Sequence, residues 1–156
     1  IFYYKMARKY KQGLYKPKHP EKYRGDPTKI MMRSSWETKF SMWVDNNPAV
    51  IEWGSETIII PYVSPIDNRG HRYYVDFWIK VQNSKKQIET YIVEIKPKAQ
   101  CYPPDYSHRK RLPKAQVIME EQCTYAVNQA KWKAARQYAK QRGWKFIVLT
   151  EDELNV

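Results

Sequence analysis

Two acidic residues and a lysine occupy positions in apolar strands where charge has no evident structural use. Asp76 interrupts one run of β-branched and aromatic residues and Glu94 a second, and both runs alternate with the period of two that is typical of a β-strand. Residues two apart in a strand point to the same face, so Glu94 and Lys96 emerge together. A hairpin turn through residues 83–86 places Asp76 opposite Glu94. The pattern therefore predicts two carboxylates and an amine at one spot on a sheet.

Such a group suits a hard divalent cation and phosphodiester hydrolysis. Mg²⁺ fits best, with Mn²⁺ as a substitute, because it takes a few carboxylates and keeps several waters. The ion neutralises the scissile phosphate and lowers the pKa of a bound water, which the amine of Lys96 can orient or deprotonate. The alternation leaves a second interpretation open. In it, Glu94 and Lys96 are ordinary solvated charge, and Asp76 is a cross-strand partner to a lysine. Lys80, on the same face of the first strand as Asp76, favours this interpretation.

The composition favours a globular protein with a polyanionic partner. The chain has 156 residues, of which 42% are hydrophobic, enough for one domain with a packed core. Its net charge of +12 and pI near 9.6 point to nucleic acid before an anionic membrane surface. The apolar stretches are strand-sized, so we expect no transmembrane helix, no signal peptide and no membrane partner. Cys101 and Cys123 are too few for a zinc site; reduced thiols are expected, and a disulfide is left open.

The positive charge is concentrated at the beginning of the chain. Residues 1–33 hold ten Lys or Arg against two acids, Glu21 and Asp26, and their glycines and prolines break regular structure. We therefore predict an irregular, tyrosine-rich basic arm over 1–33 and a folded domain over 34–156. A merely solubilising tail is the alternative for the arm. Met6 has the position of a start residue, which leaves open whether residues 1–5 were added upstream.

The elements that must position the charged residues alternate between helix and strand. A helical stripe begins at Ser34 and is stopped by Asn46-Asn47-Pro48, and Gly143 has the position of a C-terminal cap after a long second helix. The predicted order is a helix over 34–44, strands near 50–53, 57–63, 73–79 and 91–96, an irregular loop over 98–113, a helix over 114–142 and a strand over 144–150. This order predicts an α/β fold with a central mixed sheet flanked by helices.

Glu37 is a further acidic candidate at the start of the first helix. Ser34 and Glu37 have the spacing of a capping box, in which the glutamate reaches back to the backbone amide of the cap residue. A first helical turn packed on the sheet could instead aim Glu37 at the metal. The local pattern favours the capping role.

Together these residues resemble the PD-(D/E)XK nuclease superfamily, which has a restriction-endonuclease-like core. The resemblance rests on Glu37 in the first helix, on Val75-Asp76, where valine replaces the frequent proline, and on the triplet 94–96. The long helix with Gln129 and the segment 144–154 resemble the TnsA-type transposon endonuclease branch. Over residues 6–152 the chain is also similar to the head-completion nucleases of large contractile-tailed phages.

The resemblance implies a metal-dependent DNA endonuclease. Asp76, Glu94 and the backbone carbonyl of Ile95 would bind Mg²⁺, Glu37 would complete the metal shell, and Lys96 would position the attacking water. Gln129 is implied as an auxiliary catalytic residue; an exposed helix amide is its alternative. In the phage setting such an enzyme would process packaged DNA or its ends in the host cytoplasm. Its partners would be portal or other head-completion proteins, its place the virion head or neck, and a homodimer would let it cut both strands.

The charge map supplies candidate DNA contacts around this site. One group lies in and beside the loop after the second charged strand, and the other lies on the long helix, where positions 133, 136 and 140 share a face. These residues are Lys98, Arg109, Lys110, Arg111, Lys131, Lys133, Arg136 and Lys140. Such cations hold phosphates without reading sequence. A solvated helix face, a structural DNA-binding head protein and a ribonucleoprotein module are the competing interpretations.

Overall fold

A computed structural model describes residues 13–156 of the chain. Its helices are α1 (Ser35–Asn46), α2 (Ala115–Gln141) and α3 (Glu151–Leu154). Its strands are β1 (Gly13–Leu14), β2 (Met31–Met32), β3 (Val50–Ser55), β4 (Ile59–Val63), β5 (Gly70–Tyr74), β6 (Phe77–Gln82), β7 (Ile88–Ile95) and β8 (Lys145–Leu149). Short 3₁₀ turns cover Pro20–Lys22 and Lys98–Cys101. The mixed α/β class predicted from the sequence is confirmed.

The central sheet has the strand order β3-β6-β7-β8. β3, β6 and β7 pair antiparallel, and β8 joins parallel to β7. A parallel neighbour requires a crossover connection, and α2 provides it. The register of the β6–β7 hairpin pairs Phe77 with Val93 and Gln82 with Ile88, so the chain folds about residue 85 as the sequence predicts.

Both faces of this sheet are covered by a helix and an apolar core. On one face, Trp53 and Val93 pack with Phe40 of α1. On the other, Trp78 and Ile92 pack with Trp132 of α2. Because β7 lies between the two cores, its C-terminal half is buried on both faces. Charged side chains on that half are therefore unusual, and they need specific partners.

The predicted strand over residues 73–79 is in fact two strands in different sheets. β5 pairs with β4 in a separate two-stranded ribbon, and β6 belongs to the central sheet. The chain changes sheets at Val75 and Asp76, where the N–H of Val75 donates to the carbonyl of Ile58 and the carbonyl of Asp76 accepts from the N–H of Glu56, both at 3.1 Å. Period-two alternation continues through the break, which is why the sequence pattern does not reveal it.

The described part of the basic arm, residues 13–33, packs against the core. Ile30 and Met32 are each 1% exposed, and Tyr23 contacts the ring of Trp53 edge-on at 4.8 Å. The remaining residues of the predicted arm, 1–12, lie outside the described residues. The division of the chain at residue 33 stays a prediction.

Lys22 and Asp45 attach this segment to the end of α1. The Nζ of Lys22 donates to the carbonyls of Val44, Asp45 and Asn47 at 2.8–2.9 Å, which occupies acceptors that the helix leaves open. The buried carboxylate of Asp45 accepts from the backbone N–H groups of Lys18 and His19. The basic residues of the arm thus include structural contacts as well as surface charge.

Three smaller expectations have outcomes in the described residues. Gly143 has φ +69°, and its N–H donates to Lys140, as expected of a helix C-cap. Cys101 and Cys123 are free thiols. Within residues 13–156, no helix has both the length and the apolar character needed to span a bilayer.

Candidate active site

Asp76 and Glu94 come together where β6 begins and β7 ends. The register that pairs Phe77 with Val93 places Asp76 opposite Glu94. The N–H of Ile95 donates to Oδ2 of Asp76 at 2.8 Å, which orients that carboxylate across the strand pair. The pKa of Asp76 is raised well above its ordinary value by burial and by the negative charges of Glu94 and Glu37, against the lowering effects of Ile95 and Lys96. The two carboxylates therefore repel each other in the folded protein.

Two groups hold the buried carboxylate of Glu94. The hydroxyl of Tyr73 donates to Oε2 at 2.5 Å, and the Nζ of Lys96 lies 3.2 Å from Oε1. Burial, followed by the charge of Glu94, raises the pKa of Tyr73, so Tyr73 remains a phenol and a hydrogen-bond donor. Tyr73 was not among the residues predicted from the sequence, because it lies on β5, in the other sheet. The one feature of the sequence that could have indicated this contact is the position of the tyrosine, three residues before Asp76.

Glu37 caps the start of α1, and its carboxylate is close enough to Glu94 for the two negative charges to interact. The Oγ of Ser34 accepts from the N–H of Glu37 at 3.1 Å. The carboxylate of Glu37 accepts from the N–H of Arg33 at 2.9 Å, one residue before the position that a standard capping box uses. Burial raises the pKa of Glu37, as do the charges of Glu56 and Glu94, while the Arg33 bond lowers it. The structure thus shows the capping role of Glu37, and its role as a metal ligand stays a prediction.

Arg33 and Glu56 border the carboxylates on the α1 side. The guanidinium of Arg33 binds the carboxylate of Glu56 through Nε at 2.8 Å and Nη2 at 3.3 Å. Glu56 has φ +54°, a conformation that side-chain-bearing residues rarely adopt, and its N–H holds the carbonyl of Asp76. Neither residue was a sequence candidate, because nothing in the local pattern around 56 links it to Asp76.

The long helix brings Lys131 to the site. Its Nζ lies 5.5 Å from the centre of the Tyr73 ring and 5.8 Å from that of Tyr62. Burial and the charge of Lys96 lower the pKa of Lys131, while Glu94 and Asp76 raise it. Gln129 is two residues earlier and thus about 200° around the helix from Lys131, and no hydrogen bond joins it to the carboxylates in the described part of the chain. The sequence placed Lys131 with the DNA contacts and Gln129 with the catalytic residues.

The other predicted DNA contacts lie at the surface, where one of them is held by acidic partners and six are exposed. Lys98 is held at both ends: its Nζ pairs with Asp152 at 2.8 Å, and its N–H donates to Glu151. The remaining six are exposed on the loop and on α2, and Arg109 lies over the ring of Tyr106 at 5.3 Å. They are Arg109, Lys110, Arg111, Lys133, Arg136 and Lys140.

The donors at this site fit a hard cation. Among residues 13–156, no three His, Cys, Asp or Glu side chains converge closely enough to hold a metal by themselves. Asp76 and Glu94 would therefore need main-chain or water oxygens to complete a shell, as Mg²⁺ commonly uses. The mutual repulsion that raises the pKa of Asp76 is relieved when a cation binds. In that described part of the chain, no histidine or cysteine joins Asp76 and Glu94 in a metal-binding group of the kind that zinc prefers.

Two comparisons with known proteins show what this chain is similar to. The sequence model of the TnsA-like endonuclease N-terminal domain matches residues 47–151, a range that contains Asp76, Glu94 and Lys96 and begins after Glu37. A curated relative, the head completion nuclease of Enterobacteria phage T4, is 43% identical over 142 residues. The alignment covers 91% of this chain and 92% of that relative.

Proposed function

The chain belongs to the TnsA-like endonuclease family, and from this premise we propose that it is a Mg²⁺-dependent DNA endonuclease with little sequence specificity. One observation carries the proposal. Asp76 and Glu94, separate in sequence, lie opposite each other across a strand pair, and the amine of Lys96 is 3.2 Å from the Glu94 carboxylate. A structural sheet has no need of two repelling carboxylates at this depth.

Each residue of the site would have a separate role in hydrolysis. Asp76, Glu94 and the carbonyl of Ile95 would hold the ion, with Glu37 beside them. When bound, Mg²⁺ supplies charge neutralisation at the scissile phosphate and acidifies a water molecule. Lys96 orients the attacking water and steadies the developing negative charge. Tyr73 fixes one oxygen of Glu94, and the N–H of Ile95 fixes one oxygen of Asp76, so both carboxylates are preorganised.

The surface cations would hold the substrate. The exposed arginines and lysines at 109–111 and on α2 reach phosphates, which are the same in every sequence. Little sequence specificity follows from that chemistry. Lys131 lies beside the carboxylates and would contact a phosphate close to the cleaved bond.

The name of the curated relative suggests a biological setting. We propose that the enzyme processes packaged DNA or its ends during head completion in the host cytoplasm. Portal or other head-completion proteins are then the expected partners, and the virion head or neck the expected location. A homodimer would place two such sites on the two strands of a duplex.

Plasmid cleavage tests the catalytic proposal. Supercoiled DNA is incubated with Mg²⁺ and with wild type, Asp76→Ala, Glu94→Gln or the control Glu21→Gln, whose side chain is 71% exposed. We expect cleavage by wild type and by the control, and none by the two site variants. Equal nicking by wild type and Asp76→Ala would refute the proposal.

A structural DNA-binding head protein is the second candidate. The observation that favours it is the Lys96–Glu94 ion pair, which gives both residues a partner without any ion. This candidate predicts DNA binding that weakens with salt and no cleavage in Mg²⁺. It also predicts that Glu94→Gln leaves DNA binding unchanged.

A further inference from the structure

Arg33 is a cation at the candidate active site to which the proposed hydrolysis gives no role. It lies between β2 and α1, and its side chain is 62% exposed. Its backbone N–H donates to the carboxylate of Glu37, and its guanidinium binds Glu56, whose N–H in turn holds the carbonyl of Asp76. The hydrogen bond and charge of Glu56 raise the pKa of Arg33, and so do the charges of Glu37 and Asp76. The guanidinium is thus close enough to Asp76 for their charges to interact, and it is open to solvent.

Glu56 occupies only part of the guanidinium of Arg33. An arginine side chain carries five N–H groups in a planar fork. Glu56 accepts from Nε at 2.8 Å and from Nη2 at 3.3 Å, and the other three N–H groups make no hydrogen bond to any residue that the structure describes. The two contacts hold the guanidinium in one orientation, and they leave donors free for a second anion.

The backbone of Glu56 indicates that the site requires its carboxylate. Its φ of +54° is a conformation that glycine or asparagine adopts more easily. Either of those residues would keep the N–H that donates to the carbonyl of Asp76, but neither would supply the carboxylate that holds Arg33. Since exposed ion pairs add little to stability, the pair itself gives little structural reason for a glutamate here. Strain of this kind is concentrated at functional sites.

Arg33 and Lys131 approach the carboxylates from opposite faces of the central sheet. Arg33 directly precedes the helix that packs on one face, and Lys131 belongs to the helix that packs on the other. The charges of both interact with that of Asp76. A DNA strand carries a phosphate at every nucleotide. A strand that places one phosphate at Asp76 and Glu94 therefore has a cation on either side.

We propose that Arg33 binds a phosphate of the DNA strand at the active site, while Glu56 holds the guanidinium in place. Arginine suits this role because its planar fork binds one anion through part of its N–H groups and a second through the rest. The inference rests on the proposed nuclease function for the nature of the anion. It assigns the last residue of the predicted basic arm to the active site.

DNA binding in EDTA tests Arg33 without any cleavage. The probe is a short fluorescent duplex, and its dissociation constant is measured over a range of salt concentrations. Arg33→Gln should weaken binding roughly tenfold. It should also reduce the slope of the logarithm of affinity against the logarithm of salt concentration by about one, because one phosphate contact is lost.

Two controls separate a phosphate contact from a change in charge. The double variant Arg33→Gln with Glu56→Gln has the net charge of wild type and should still show a slope reduced by about one. Lys85→Gln also removes one positive charge, but from the exposed turn between β6 and β7, about 20 Å along β7 from Glu94. It should leave the slope unchanged.

The outcomes separate this inference from the proposed function. An unchanged slope in Arg33→Gln overturns the phosphate contact, and so does a wild-type slope in the double variant, in which case the arginine only neutralises Glu56. An equal reduction in Lys85→Gln overturns it as well, since the slope then reports net charge alone. If Arg33→Gln does not fold, as circular dichroism would show, the double variant decides, because it removes the pair as a whole.

Cleavage completes the separation. Cleavage that depends on Asp76, together with a salt slope that does not depend on Arg33, leaves the nuclease intact and removes the phosphate contact. A slope that depends on Arg33, without any cleavage by wild type, does the reverse.

Discussion

The substitution Asp76→Asn is expected to raise the stability of the metal-free protein while it abolishes cleavage. Asparagine keeps the shape of the side chain, and its oxygen can still accept from the N–H of Ile95, which now binds Asp76 at 2.8 Å. What the substitution removes is a charge that burial, Glu94 and Glu37 all disfavour. A site built to bind a cation should be strained when it has none.

The size of this gain follows from the charges around Asp76. Two unit charges 4–6 Å apart repel by about 3–4 kcal/mol at an effective dielectric constant near 20. Asp76 is partly exposed, and Lys96 offsets part of the repulsion, so we expect a net gain of about 1–3 kcal/mol. For a protein of this size, each kcal/mol raises the melting temperature by roughly 2–4 °C.

The free energy of unfolding of the metal-free protein should decrease as the pH rises. Because the pKa of Asp76 in the folded protein lies above its ordinary value of 3.8, the folded state retains a proton that the unfolded chain has lost. The stability of metal-free wild type therefore falls as pH rises from about 3.8 through the folded pKa. The stability gap between Asp76→Asn and wild type should be smallest at the acidic end and widen with pH.

Thermal unfolding in EDTA over a range of pH measures the gain in stability and its pH dependence. Thermal unfolding in Mg²⁺ measures stabilisation by the ion, and plasmid cleavage measures the loss of activity. Mg²⁺ at about a hundred times its dissociation constant should stabilise wild type by about 2.7 kcal/mol and the variant much less. Glu21→Gln, an exposed acid, is the control and should shift stability by no more than about 0.5 kcal/mol. The reasoning is refuted if Asp76→Asn is no more stable than wild type in EDTA, or if it still cleaves DNA.

Three further substitutions test other parts of the molecule. Lys96→Met should reduce the cleavage rate by about 10²-fold or more yet leave stabilisation by Mg²⁺ in place; loss of both would mean that Lys96 acts mainly by holding Glu94. Lys133→Ala, on an exposed position of α2, should lower the salt dependence of DNA binding by about one unit of slope, and an unchanged slope would remove this face from the interface. Lys22→Met should cost about 1–3 kcal/mol in denaturant unfolding, because three carbonyls at the end of α1 lose their donor; a neutral result would show that water replaces the amine.

Most secondary structure could be predicted because it is encoded locally. The hairpin register about residue 85 follows from alternation on either side of a turn, and the bounds of α2 follow from its flanking proline and glycine. The break at Asp76 could not be predicted, since β5 and β6 read as one alternating run. Which sheet each half joins depends on its partner strands, β4 for β5 and both β3 and β7 for β6, and the alternation within the run carries no information about those partners.

The residues of the candidate site likewise fall into those that a local sequence pattern predicts and those that depend on packing. The sequence by itself determined the types and the register of Asp76, Glu94 and Lys96, because residues two apart in a strand share a face and a hairpin fixes its own pairing. Only the tertiary structure decided which other residues reach them. Tyr73 reaches Glu94 because the chain changes sheets at Asp76, and Lys131 reaches Tyr73 because α2 packs across this face of the sheet. These contacts depend on how elements pack, and packing is a property of the whole fold that no local pattern contains.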